Sequence, residues 1–79
     1  MTTAEAFQNI RTAIDAAPRN GYVAELHLQV IKYASLLKDL SGKEFCEGVG
    51  IGESFGTEFL KMRKIADRLV AANLDVAKI

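Results

Sequence analysis

The chain lacks most of what staples a small protein together. Its 79 residues include one cysteine (Cys46), one histidine (His27), one proline (Pro18) and no tryptophan. A single cysteine excludes a disulfide within the chain. One His and one Cys give no cluster with metal-ligand spacing, so no metal and no other cofactor is expected. No apolar run approaches the ~20 residues needed to cross a bilayer. The opening Met-Thr-Thr-Ala-Glu has neither the basic segment nor the apolar stretch of a secretory signal, and the expected location is cytoplasmic. Charge of one sign is lacking too. Ten basic residues balance ten acidic ones, unlike the strongly basic footprint of a protein that coats nucleic acid. Without a proline-rich or low-complexity tract there is no linker and no repeat, so 1–79 reads as one domain. A domain this short buries only about 60–65% of the surface of its unfolded chain. With disulfide and metal excluded, a partner subunit is the expected stabilising device.

What the chain does have is apolar residues at helical spacing. Phe7, Ile10, Ile14 and Ala17 line one face of a helix expected over 3–17. Thr2 and Glu5 have capping-box spacing at its start, and Pro18 stops it because proline has no amide proton. A second helix is expected over 22–40, with Val23, Leu26, Val30, Tyr33, Leu37 and Leu40 as its main stripe. Ala24, Leu28, Ile31 and Ser35 form a second stripe at i, i+4, i+7, i+11. A helix apolar on two sides is either the centre of a bundle or half of a homodimer contact. Gly42 suits a left-handed cap closing this helix. Ser41 and Glu44, again at capping-box spacing, open a short third helix over 43–47. Gly48, Gly50 and Gly52 then interrupt it, since each glycine costs about 1 kcal/mol in a helix relative to alanine. A last long helix runs from 53 or 54 to 72, with Ser54 or Glu53 capping its start. Phe55, Phe59, Met62, Ala66 and Leu69 form its inner face, with Ile65 beside them. Thr57, Lys61, Lys64 and Arg68 line the opposite side, and Lys61, Arg63, Lys64 and Arg68 outnumber Asp67 between Phe59 and Val70. Asn73 suits a left-handed cap, and Asp75 could cap a final short turn.

The stretch 41–61 resembles the helix-turn-helix of bacterial DNA-binding regulators. The likeness rests on the polar cap Ser41, an apolar-small pair Phe45-Cys46, an apolar-Gly-apolar turn Val49-Gly50-Ile51, and an inward Phe59. Two helices crossing steeply need a small side chain at the contact and a residue free to adopt positive φ between them. Gly56 stands where the family's second helix carries an inward apolar residue. The resemblance implies a second helix laid in a DNA groove, with Ser54, Thr57, Glu58 and Lys61 toward bases and Lys64 and Arg68 toward phosphates. Glu53 and Glu58 bring acids to that surface, and a carboxylate repels phosphate.

Other constellations favour plain structural roles. The Gly48–Gly52 stretch follows a short helix, not a strand, and lacks the Gly-Lys-Ser/Thr ending of a phosphate loop. Cys46 has only His27 as a base-type partner and no orienting acid at recognisable spacing, so no catalytic constellation and no small-molecule substrate is evident. The chain is therefore expected to be all-α, a four- to five-helix bundle containing a helix-turn-helix over about 41–72, and not an enzyme. Two functions fit: a DNA-binding module, dimeric through Ala24, Leu28, Ile31 and Ser35, or a protein-interaction module using the same fold without nucleic acid. Leu60, on the outer side of its helix, bears on the second.

Overall fold

The computed structural model describes residues 1–79 as four α-helices without strands: α1 (Thr3–Ala16), α2 (Tyr22–Lys32), α3 (Gly42–Val49) and α4 (Gly56–Ala71). Single 3₁₀ turns lie at Arg19–Gly21, Glu53–Phe55 and Val76–Lys78. The molecule measures 30 × 27 × 24 Å. Both expected capping boxes form. Thr2 Oγ1 accepts from the Glu5 amide while Glu5 Oε1 accepts from the Thr2 amide, both at 3.1 Å. Ser41 Oγ accepts from the Glu44 amide at 3.1 Å, and Glu44 Oε1 accepts from the Ser41 amide at 2.9 Å. The Ser41 amide, and after it the Ser41 hydroxyl, hold the Glu44 carboxyl below its ordinary range.

Helix α2 is shorter than its apolar period suggests. It ends at Lys32, where Tyr33 leaves helical geometry at φ −105°, ψ 12°. Residues 33–40 continue as tight turns, with Leu36 donating to Tyr33 O and Leu40 to Leu37 O. No glycine or proline interrupts the segment. Arg63 of α4 donates Nη1 to the carbonyls of Leu37 and Leu40, at 3.1 and 2.6 Å, and ties the end of this segment to α4. Leu37 is fully buried all the same, so the apolar period survives the change of backbone.

Helix α3 is longer than expected at both ends. Gly42 does not cap α2; it begins α3. Gly48 continues that helix, and the Phe7 ring of α1 lies directly on it, where a side chain would collide. The helix closes at Gly50, whose φ of +85° is the left-handed conformation that glycine adopts without penalty. The Ile51 amide donates back to Cys46 O at 3.0 Å. The turn is tied to α1 by Arg11, which donates Nη1 to Gly50 O at 2.8 Å while its Nε donates to Asp15 at 3.1 Å.

The core is built where the four helices meet. Phe45 and Phe59 stack with ring centroids 4.2 Å apart and planes within 8°. Phe7 meets Phe45 edge-on at 6.3 Å. Ile10, Ile14, Leu26, Val30, Leu37, Cys46 and Val49 complete the buried cluster. Val23 falls outside it and is 45% exposed, because α2 faces solvent there at its first turn. At the end of α4, Asn73 adopts φ +73° and the Leu74 amide donates to Leu69 O, a left-handed closure of the expected kind. Asp75 Oδ1 then accepts from the Ala77 amide to cap the last 3₁₀ turn.

Candidate nucleic-acid interface

Helices α3 and α4 form the helix-turn-helix, and their crossing explains the glycine that interrupts the inner face of α4. Gly56 is buried against Gly42. A Cβ on Gly42 would come within 2.9 Å of Gly56 Cα and 3.0 Å of Gly56 O. Two glycines let the first turns of α3 and α4 touch backbone to backbone, which a side chain on Gly42 would prevent. Gly56 is therefore occupied by the chain's own α3 and offers no docking notch. Its first turn also takes no side-chain cap. Neither Ser54 nor Glu53 accepts from an α4 amide. The 3₁₀ turn instead uses the backbone, with Phe55 donating to Gly52 O and Gly56 to Glu53 O. Tyr22 of α2 covers this turn through Phe55, ring centroids 6.1 Å apart.

Helix α4 packs on α2 and α3 along one side and exposes the other. Of its 16 residues only Gly56, Phe59 and Ala66 are fully buried. Thr57, Lys61, Lys64 and Arg68 are all exposed along one side, a stripe about 16 Å long at 1.5 Å per residue. Ser54 is exposed one turn before it, in the 3₁₀ turn. Five of the six expected contact residues thus share one solvent surface.

The sixth, Glu58, is turned away. Its carboxylate Oε2 lies 3.3 Å from Nε2 of His27 on α2. That nitrogen is shielded from solvent and makes no hydrogen bond of good geometry, although the Glu58 carboxylate lies beside it. Arg63 departs from expectation in the same inward sense. Its guanidinium lies over the Phe59 ring at 4.9 Å and is spent on the Leu37 and Leu40 carbonyls. The structure has one Arg–carboxylate pair, Arg11–Asp15, and one His27–Glu58 approach, so the α4 cations Lys61, Lys64 and Arg68 are unpaired.

The roles of Arg63, His27 and Arg11 escaped the sequence reading. Arg63 lies four residues after Phe59, hence on the same inward face, which was the available signal. Nothing in the pattern marked Arg11 or the His27–Glu58 approach.

The second stripe of α2 divides. Ile31 is buried and lines an apolar cleft of about 260 Å³ with Ala66, Val70 and Val76 of its own chain. Ala24, Leu28 and Ser35 are exposed, and Leu28 is the one large side chain among them. On α4, Leu69 and Ile65 do not reach the core. They are 36% and 43% exposed, while Ala66 between them is buried on the side facing α2. Leu60 and Val70 are exposed as well.

Cys46 is fully buried, and burial, with the Glu53 carboxylate as a lesser cause, pushes its thiol up. That is opposite to the thiolate character of a nucleophile. No helix is long and apolar enough to cross a membrane.

No curated protein and no solved structure matches the chain. A family model described as an HTH-like domain matches residues 2–72. That span takes in all four helices and extends the likeness well beyond the α3–α4 motif, so the chain belongs to the HTH-like domain family.

Proposed function

We propose that the protein binds double-stranded DNA, with α4 as the helix laid along the major groove. The observation that carries this reading is the row of unpaired cations Lys61, Lys64 and Arg68 on the solvent side of the second helix of a helix-turn-helix. Thr57 and Ser54, nearer the start of that helix, reach toward base edges, and the three cations follow phosphates. The Glu58 carboxylate leans toward His27 on α2. Glu53 remains exposed at the rim. With few cations and zero net charge, affinity should be modest and strongly dependent on salt.

A gel shift at low salt with random and genomic duplexes tests the reading. Retarded complexes at micromolar protein are expected, because non-specific phosphate affinity emerges first under those conditions. An absence of any shift there defeats it. A protein-interaction role is favoured by a different observation, the exposed Leu60, Ile65 and Leu69 beside the charged stripe.

A further inference from the structure

We infer that α4 carries a second binding surface, specific for an acidic amphipathic helix, on the flank formed by Ile65 and Leu69 with Lys64 and Arg68. These four side chains line one shallow depression on the outer surface of α4. Ile65 and Leu69 form one i, i+4 ridge, and Lys64 and Arg68 form the next. The furrow between two such ridges is the shape into which a ridge of another helix fits.

The chemistry of the furrow selects its occupant. One wall is aliphatic, with Ile65 43% and Leu69 36% exposed. The other wall is cationic and unpaired, and Lys61 adds a third charge at the same side. No acid competes for these cations within the chain. Glu58 is drawn to His27, and Asp67 lies on the other side of α4 beside the Ile31 cleft. Duplex DNA satisfies the cations but leaves both aliphatic side chains against phosphate and water. A second copy packed through the same furrow about a two-fold axis would set Lys64 and Arg68 against their own counterparts, a like-charge contact. A helix with Leu or Ile on one face and Glu or Asp beside them satisfies both walls at once. The cations are those assigned above to phosphates, so such a partner excludes DNA from α4. This exclusion rests on the DNA-binding reading; the peptide site itself does not.

The probe is a labelled amphipathic peptide of about 16 residues, long enough to form a helix on docking, with leucines on one face flanked by glutamates. A control peptide carries serine for every leucine. Fluorescence anisotropy gives affinity, and amide chemical shifts give location. The leucine peptide is expected to bind with shifts confined to the 61–69 segment. The Ile65→Ser/Leu69→Ser double variant, altered only at exposed positions, should weaken it by roughly tenfold or more, the scale of losing a central apolar anchor. The same variant should hold duplex DNA as tightly as the natural chain does, and duplex should compete with the peptide. Equal binding of the serine control overturns the proposal, because the interaction is then ion exchange alone. It is also overturned if the double variant keeps full peptide affinity, if shifts map elsewhere, or if that variant merely converts a self-associated species to monomer. Peptide binding without any duplex binding would uphold this surface and refute the DNA-binding reading.

Discussion

The contact between Gly42 and Gly56 gives a prediction whose size differs between two alanine substitutions. A Cβ on Gly42 would meet Gly56 Cα at 2.9 Å, its carbonyl oxygen at 3.0 Å and its carbonyl carbon at 3.1 Å. All three are backbone atoms, which cannot swing aside as a long side chain can. Relief requires α3 and α4 to separate at their first turns, and that loosens the Phe45–Phe59 stack immediately behind them. Overpacking of this kind costs about 1–3 kcal/mol. Alanine returns part of this through helix propensity, at most about 1 kcal/mol and less in a first turn. Gly42→Ala should therefore destabilise by about 1–2 kcal/mol, lowering the urea midpoint by about 1 M for a domain of this size. Gly56→Ala is milder. Its Cβ would lie 3.3 Å from Gly42 Cα and 3.4 Å from Gly42 C, a shift of a few tenths of an ångström. There the propensity gain offsets the crowding, and the net change should stay within about 0.5 kcal/mol. Urea titrations followed by far-ultraviolet circular dichroism measure both variants. A neutral Gly42→Ala, or a Gly56→Ala more damaging than Gly42→Ala, would falsify the backbone-contact account of the crossing.

Three further outcomes are expected. Arg63→Ala should cost about 2–3 kcal/mol by stripping the Leu37 and Leu40 carbonyls of a charged donor, yet leave DNA affinity per folded molecule unchanged; a large loss of affinity at full folding would put Arg63 on the wrong side of α4. The Glu44 carboxyl is lowered in the folded chain, so its contribution is present above the ordinary carboxylate range and is lost as pH falls through that range toward the lowered value. The stability gap between the natural chain and Glu44→Gln should accordingly narrow on acidification, and a gap constant with pH contradicts the capping assignment. Cys46, buried with its thiol pushed up, should react with iodoacetamide only as fast as the protein opens; modification of the native protein at the rate of a free thiol excludes the burial described.

Local chemistry was legible in the sequence, and long-range chemistry was not. Ser41 with Glu44 and Thr2 with Glu5 announced two helix starts because a capping box needs only four consecutive residues. Pro18, Gly50 and Asn73 marked ends for equally local reasons. The end of α2 carried no such mark. Its apolar period runs on to Leu40, while the backbone leaves the helix at Tyr33 and Arg63, 23 and 26 residues distant from Leu40 and Leu37, binds their carbonyls. Gly50 was legible as a turn, but Gly42 and Gly48 lie inside α3 and serve as contacts, which the sequence did not mark. Gly48 lies under the ring of Phe7 and Gly42 lies against Gly56, and neither partner is near in sequence. The exposed stripe Thr57, Lys61, Lys64 and Arg68 followed from period alone, since a face opposite Phe59 and Ala66 must meet solvent. Burial of Leu69 and Ile65 was overestimated because period gives the direction of a side chain and not whether a neighbour extends far enough to cover it.

The central claim is that the outward cations of α4 hold phosphates. The most direct test is the salt dependence of duplex affinity, measured by fluorescence anisotropy for the natural chain and for Lys64→Ala/Arg68→Ala. Each phosphate contact contributes a slope of about −0.9 in log affinity against log salt. Two lost contacts should make the slope shallower by about 1.8 while the circular dichroism spectrum stays unchanged, because both side chains are exposed. An identical slope in the folded double variant would mean that any DNA lies elsewhere on the protein, and that α4 is not the helix that holds it.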